Sequence, residues 1–102
     1  MIQIVFSELA DTDSRTIFEY LYKTAGEKIA LKYRAMFDEV YQNLEDFPDN
    51  GVLREKLGAN VRVCFVAPYI VFYTRAKADN TIKILRILHG RREITVDTLN
   101  FN

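Results

Sequence analysis

Hydrophobic positions in the first half of the chain recur with the period of an α-helix. A short apolar run over residues 2–6 precedes Ser7, and acidic residues follow it where a helix would begin. Because a serine oxygen accepts hydrogen bonds from the free N–H groups of a first turn, Ser7 predicts the start of a helix that runs from Glu8 to about Ala25. The predicted core-facing positions on this helix are Leu9, Ala10, Ile17, Tyr20 and Leu21.

A second helix is predicted from Glu27 to Asp46, after Gly26, which fits a left-handed C-terminal cap. The pair Phe47-Pro48 ends it, since proline disfavours helical geometry in the preceding residue. Two helices with so short a connection predict a helical hairpin. The apolar face of the second helix consists of Ile29, Ala30, Tyr33, Met36, Phe37, Val40, Tyr41 and Leu44.

The second half of the chain has β-type patterns after a loop over residues 48–60. Three strands are predicted, at residues 61–67, 69–75 and 82–89, with turns at Pro68 and near Asp79-Asn80. The last strand is apolar on both faces, which predicts a strand covered on both sides. Its two sets are Ile82, Ile84 and Leu88 on one face, and Leu85 and Ile87 on the other. The prediction is an α+β fold of order βααβββ, with the helical hairpin packed on a small, largely antiparallel sheet.

Composition supports one folded domain over residues 1–102, with residues 94–102 as a C-terminal tail. A hydrophobic content of 49% in 102 residues supplies a core and excludes a disordered chain. Cys64 is the only cysteine, so no intrachain disulfide is expected, and its apolar surroundings predict a small buried hydrophobe. The chain starts without a basic leader and has no apolar run of roughly 20 residues, so we expect a cytoplasmic protein that does not contact membranes.

The sequence contains none of the common metal-binding or nucleotide-binding motifs. One histidine and one cysteine predict no metal site. Neither a P-loop nor a GxGxxG fingerprint is present, so no cofactor is expected.

Basic residues are concentrated in the second half of the chain. Residues 1–50 carry 5 Lys/Arg against 10 Asp/Glu, and residues 51–102 carry 9 against 4, which gives net charges of −5 and +5. Arginine forks bind phosphates or carboxylates, and a nearby imidazole can transfer a proton. The candidates are Arg54, Lys56, Arg62, Arg86, His89, Arg91 and Arg92. The alternative is a solvated rim in which these groups pair with Glu55, Glu93 and Asp97.

A second candidate surface consists of apolar side chains outside the core-facing stripes. Phe18 and Tyr22 lie one turn apart on the first helix, and Leu31 and Ala35 are similarly placed on the second. Such residues either form an interface or pack within the hairpin and against the tail, where Phe101 would cover the same region.

The ordered combination of these features resembles the RelE/ParE toxin superfamily, particularly ParE. The matching features are the first strand, the helical hairpin, the Phe-Pro and Gly loop, Arg62 at the start of a strand, and the segments Tyr69-Ile-Val-Phe-Tyr73 and Ile84-Leu-Arg-Ile-Leu-His-Gly-Arg-Arg92. The resemblance implies the toxin of a bacterial type II toxin-antitoxin system, associated with plasmid stabilisation. It also implies a hetero-oligomer with a ParD-like antitoxin, whose amphipathic helix would contact Phe18, Tyr22 and Leu31.

The superfamily has two branches with different targets. ParE-like members inhibit DNA gyrase, and here the resemblance implies a binding surface at Arg86, His89, Arg91, Arg92 and the tail, with DNA reached only through the gyrase complex. RelE-like members cleave mRNA in the ribosome, and the corresponding site would consist of Arg54, Lys56, Arg62, His89 and Arg92. The tail position that carries a tyrosine in the nucleases is about Thr98, and no tyrosine follows Tyr73. Since a threonine hydroxyl is a poor proton-transfer group and the net charge is zero, we expect a gyrase inhibitor rather than an enzyme, with a plain interaction module as a further alternative.

Overall fold

The computed structural model describes residues 1–92, 94 and 96–99. Strand β1 (Gln3–Phe6) is followed by helices α1 (Glu8–Ala25) and α2 (Glu27–Asp46). The later elements are strands β2 (Val52–Leu53), β3 (Arg62–Val66), β4 (Tyr69–Ala76) and β5 (Thr81–His89) and the short helix α3 (Val96–Leu99). The described chain is therefore an α+β fold in which a helical hairpin lies on one face of a sheet.

Both long helices have the predicted bounds, and the cap at Ser7 is confirmed. The Ser7 Oγ accepts a hydrogen bond of 3.0 Å from the Ala10 N–H and donates one of 2.8 Å to the Leu85 carbonyl. Gly26 ends α1, but its φ of 91° and ψ of 171° are not the left-handed helical geometry that we predicted. A positive φ with an extended ψ is nearly exclusive to glycine. The prediction that Gly26 ends the helix is therefore correct, and the predicted cap geometry is wrong.

The sheet has the strand order β1-β5-β4-β3-β2. Strand β1 is parallel to β5, and the other neighbours are antiparallel, as expected for a largely antiparallel sheet. The sequence did not predict β2, which lies within the loop and pairs Val52 with Val63 and Leu53 with Arg62. A strand of two residues is too short to show an alternating pattern.

A β-bulge at Leu85 changes which residues of β5 share a face. Tyr73 pairs with Ile84 and Phe72 pairs with Arg86, so Leu85 has no counterpart on β4. The extra residue reverses the alternation, because side chains point to opposite faces at successive positions of a regular strand. The predicted faces of β5 are therefore correct up to Leu85 and wrong for Ile87 and Leu88, which exchange faces.

Both faces of the sheet are nevertheless covered, as predicted. Between the sheet and the two long helices lies a cluster that includes Phe37, Leu44 and Tyr73, together with the β5 residues Ile82, Ile84 and Ile87. The opposite face carries a smaller cluster: Val61, Val63, Phe72, Leu85, Leu88 and Leu99. Since Leu99 of α3 belongs to this second cluster, the tail covers the face away from the helices. Our expectation that it covers the region of Phe18 and Tyr22 is wrong for the described residues, and Phe101 lies outside them.

Three residues predicted to face the core are exposed instead. Leu9 and Tyr20 of α1 and Ile29 of α2 expose 37%, 60% and 36% of their surface. The helical period gives the direction of an apolar face, but it does not show how far the neighbouring elements extend along it.

Candidate functional site

A shallow groove of about 470 Å³ runs along the outer flank of the helical hairpin. Residues from α1 and Arg34 of α2 form its walls, among them Asp11, Arg15, Phe18, Glu19 and Tyr22. The groove therefore contains two of the three predicted antitoxin contacts. Leu31, the third, precedes Arg34 by about one turn of α2 and so lies on the same flank.

The three predicted antitoxin contacts differ in exposure. Tyr22 and Leu31 expose 58% and 57% of their surface. Phe18 is half-buried, packs edge-on against Phe37 with ring centroids 5.8 Å apart, and lies 5.5 Å from the guanidinium of Arg34. Phe18 therefore stabilises the hairpin as well as lining the groove. Packing within the hairpin and exposure at a candidate interface, the two alternatives for this residue, are both observed.

Arg86, which we predicted as a target contact within the last strand, is buried. Its side chain is only 10% exposed and makes an ion pair of 2.7 Å with Asp13 of α1. The Arg86 Nε and Nη2 donate to Asp13, and Nη1 donates a hydrogen bond of 2.9 Å to the carbonyl of Thr98. The hydrogen bond to Asp13 raises the pKa of Arg86, against the opposing effect of burial. The guanidinium is thus held by the fold, and the geometry argues against its use as a target contact.

Arg62 is also engaged within the chain. Its Nη1 donates to the carbonyls of Asp49 and Gly51, at 3.0 and 2.9 Å. The same loop is held by Tyr73, whose hydroxyl donates to the Pro48 carbonyl and accepts from the Gly51 N–H, both at 2.9 Å. Burial raises the pKa of Tyr73 to about 12. Arg62 and Tyr73 together position the loop that precedes β2.

Gly51 is required in this loop by the close approach of Tyr73. A Cβ atom at position 51 would lie 2.6 Å from the Tyr73 hydroxyl oxygen and 2.7 Å from a ring carbon. Such distances are well inside van der Waals contact, so no larger residue fits beside the buried ring.

Two of the cations proposed for a nuclease site, Arg62 and His89, lie far apart on the sheet. Arg62 pairs with Tyr73 near one end of β4, whereas His89 pairs with Tyr69 at the other end. Four residues along a strand span about 13 Å, and β3 and β5 are two strand spacings, about 10 Å, apart. Arg54 and Lys56 lie on the exposed loop that leads to Arg62, and Arg92 follows His89. The fold therefore does not bring Arg62 and His89 to one reacting phosphate.

The group at the end of β5 forms an exposed basic turn, which we define as residues His89 to Arg92. The Gly90 N–H donates to the Pro68 carbonyl at 2.8 Å, and the Arg92 N–H donates to the His89 carbonyl at 3.0 Å. The imidazole Nδ1 accepts from the Arg91 N–H at 3.1 Å, and its ring packs edge-on against Tyr69. His89, Arg91 and Arg92 are all exposed, as a target-binding surface requires.

Among the described residues, no ion pair joins Glu55 to a basic side chain. Asp49 is the carboxylate near Arg62, at 3.9 Å, and Arg75, at 3.2 Å. Glu93 and the side chain of Asp97 lie outside the described residues.

Beside the basic turn lies a second cavity of about 470 Å³ that the sequence did not predict. It is lined mainly by aromatic side chains, including Tyr20, Tyr33, Tyr69 and His89. Tyr20 and Tyr33 were assigned to the core because helical periodicity cannot distinguish a residue that faces the core from one that faces a cleft beside it. No signal in the sequence alone would have separated them.

Two kinds of site have no counterpart among the described residues. His, Cys, Asp and Glu side chains form no group of three or more that could hold a metal ion there. No helix in this part of the chain is long and apolar enough to cross a membrane. Cys64 is a free, half-buried thiol that packs against the main core cluster, and burial raises its pKa.

Comparison with solved structures places the fold among toxin-antitoxin proteins. A structure described as the chromosomal ParDE TA system from P. aeruginosa matches with a TM-score of 0.71, covering 87% of this chain and 96% of that one. The sequences are 22% identical, so this likeness establishes the fold. No curated protein matches the chain.

A family model settles the class of protein. The model described as the ParE toxin of the type II toxin-antitoxin system parDE matches residues 4–94. The chain therefore belongs to the ParE toxin family, and both the fold and the family expected from the sequence are confirmed.

Proposed function

We propose that this chain is a cytoplasmic toxin that inhibits DNA gyrase by binding it, and that a ParD-like antitoxin neutralises it, with plasmid stabilisation as the biological role. Family membership supports the toxin assignment. The choice of gyrase over the ribosome rests mainly on the separation of Arg62 from His89. Binding to a protein target requires an exposed surface, whereas cleavage of a phosphodiester requires acid, base and charge-stabilising groups around one phosphate.

The residues that a ribonuclease of this superfamily would use are poorly placed for cleavage. Arg62 donates to two loop carbonyls and lies at the opposite end of β4 from His89. The resemblance puts the tail tyrosine of the nuclease branch at about Thr98, and a threonine hydroxyl is a weak acid and a weak base at neutral pH. These two observations favour inhibition by binding over mRNA cleavage.

The basic turn is the surface that we propose for gyrase. Two arginines beside an exposed imidazole can bind carboxylates of a partner protein through charged hydrogen bonds. Arg86 belongs to the scaffold of this surface, because its bonds to Asp13 and to the Thr98 carbonyl hold the end of β5 against α1 and α3.

The groove on the outer flank of the hairpin is the surface that we propose for the antitoxin. It combines the rings of Phe18 and Tyr22 with charged residues of both signs, Asp11, Glu19, Arg15 and Arg34. An amphipathic helix presents a matching apolar stripe with a charged border. A bound antitoxin that extends from this groove along the sheet edge would block access to the toxin.

The test is a supercoiling and DNA-cleavage assay with purified gyrase, run beside a ribosome-dependent mRNA cleavage assay on the same preparation. We expect gyrase-linked DNA breaks and intact mRNA. The matched variant is an Arg91→Ala, Arg92→Ala double substitution at two exposed positions, which should fold normally and lose inhibition. Cleaved mRNA with unaffected gyrase would contradict the proposal, and so would full inhibition by the folded double variant.

A further inference from the structure

An aromatic cleft lies between the two long helices and the end of the sheet, next to the basic turn. Thr16 and Tyr20 of α1, Tyr33 of α2, and Pro68, Tyr69 and His89 at the sheet end line its volume of about 470 Å³. Tyr69 is almost fully buried and forms the floor, where it packs edge-on against Tyr33 and His89 with ring centroids 6.0 and 5.7 Å away. Tyr20 exposes 60% of its surface at the rim.

The cleft lacks negative charge, although α1 is an acidic helix. None of the described lining residues carries a carboxylate. Of the four α1 acids, Glu8 lies in the first turn, Asp13 is bound to Arg86, and Asp11 and Glu19 line the groove on the other flank. The basic turn begins at His89, which lines the cleft, and is fastened to the Pro68 carbonyl by the Gly90 N–H. The apolar, aromatic cavity therefore ends at His89, and two exposed arginines follow two and three residues later in the chain.

This combination is complementary to one kind of ligand. An apolar side chain can enter between tyrosine rings, which provide large contact areas with little loss of side-chain freedom. Acidic residues on either side of that anchor would meet the arginines of the basic turn, where charged hydrogen bonds are strongest. A basic segment would meet like charges there and be disfavoured.

We infer that the aromatic cleft and the basic turn form one docking site for an extended acidic segment of gyrase that carries an apolar anchor residue. The inference rests on the proposed function and adds the chemistry of the recognised segment. Tyr20 is the rim residue that closes over the anchor, and the arginines hold the acidic residues beside it.

The cleft is separate from the antitoxin groove, even though both use α1. Tyr20 lines the cleft and Tyr22 lines the groove. Two residues along a helix correspond to a rotation of about 200°, so these side chains project from opposite flanks. Substitutions in the cleft should therefore leave the antitoxin groove intact.

The first experiment compares Tyr20→Ser with wild-type protein in the gyrase supercoiling assay. Loss of the contact between Tyr20 and the apolar anchor of gyrase should weaken inhibition by about tenfold. The matched control is Phe47→Ser, since Phe47 is also an exposed aromatic residue, at 62%, and lies in neither proposed surface. Inhibition by Tyr20→Ser at the wild-type concentration would overturn the cleft inference while leaving the proposed function standing.

The second experiment tests the charge of the recognised segment at a single position. Thr16 is exposed and lines the cleft. Because it lies on a helix surface, either an acidic or a basic residue can replace it without disturbing the fold. Thr16→Glu should weaken gyrase inhibition by about tenfold, whereas Thr16→Lys should maintain or improve it. The reverse order, or equal loss in both variants, would overturn the acidic assignment.

A third measurement separates failure of this inference from failure of the proposed function. A fluorescent peptide with glutamates flanking one phenylalanine is titrated with wild-type protein and with the Tyr20→Ser and Thr16→Glu variants. Binding that is weakened in both variants supports the chemistry of the site, and absent binding overturns it. If wild-type protein leaves gyrase active, the proposed function and the choice of gyrase as partner both fail. Peptide binding then shows whether the cleft still recognises an acidic segment with an apolar anchor.

Discussion

Asp13 and Arg86, 73 residues apart in the chain, form a bidentate ion pair that joins α1 to β5. The Arg86 Nε and Nη2 donate to the two carboxylate oxygens at 2.7 and 2.9 Å. The same Asp13 carboxylate also accepts from the Ile87 N–H at 3.0 Å. Strand β1 pairs with β5 only as far as Ile84, so Asp13 occupies the place of a strand partner where β1 has ended.

Removal of either charge should destabilise the protein strongly. Asp13→Asn or Arg86→Met leaves the other group buried without its partner, which costs about 3–5 kcal/mol of the free energy of unfolding. Urea denaturation measures the loss. Asp11→Asn is the matched control, since Asp11 is exposed in the first turn of α1 and should contribute less than about 1 kcal/mol. Equal effects at positions 11 and 13 would contradict this account.

Tyr73→Phe should lower stability without changing the shape of the core. The substitution leaves the Pro48 carbonyl and the Gly51 N–H without the hydroxyl that bonds them, a loss of about 1–3 kcal/mol. Chemical denaturation checks the value, with Tyr22→Phe at an exposed position as the control. An unchanged unfolding midpoint would show that the hydroxyl does not hold the loop.

Stability should fall in the alkaline range because of the same phenol. Burial raises the pKa of Tyr73 from 10.0 to about 12, and Arg62 and the Gly51 N–H only partly oppose this. The folded protein keeps this proton where the unfolded chain releases it, so the contribution is complete below pH 10 and is lost as the pH rises from about 10 to about 12.

Urea unfolding from about pH 9 to pH 12 tests this, with Tyr73→Phe as the comparison. The variant should retain a shallower decline, since burial also raises the pKa values of Tyr41 and Tyr69. Parallel pH profiles for the two proteins would exclude Tyr73 as the responsible group.

Tyr22→Ser and Leu31→Ser should each weaken antitoxin binding by about tenfold, because both remove exposed apolar surface at the proposed groove. Titration calorimetry with the antitoxin measures the change, and Phe47→Ser, outside the groove, should bind normally. Phe18→Ser is a poorer probe because Phe18 packs on Phe37 and its loss should also lower stability. Unaltered affinity in both exposed variants would remove the groove from the antitoxin interface.

The elements were predictable where local chemistry decides them. Ser7, Gly26 and the Phe47-Pro48 pair set the bounds of two helices, since a cap oxygen, a positive φ and a proline act on adjacent backbone groups. Apolar runs bounded by turn residues likewise located β3, β4 and β5. These signals needed no knowledge of distant residues.

The candidate sites were predicted less well because they depend on which elements meet. The exposed basic turn was anticipated, and so were Tyr22 and Leu31 as surface residues on the hairpin. Arg86 was expected at a surface, but its nearest partner is Asp13 in a distant helix. Tyr20 was assigned to the core, although the cleft beside it opens between three separate elements.

The sequence by itself determined two capped helices, four strands, including an apolar last strand, and the ParE-like order of these elements. Only the tertiary structure decided the bulge at Leu85, the burial of Arg86, the separation of Arg62 from His89, and the face that Leu99 covers. The physical reason is the distance along the chain over which each interaction acts. Caps and periodicity act within a few residues, whereas register, ion pairing across the fold and the shape of a cleft arise only when distant segments pack together.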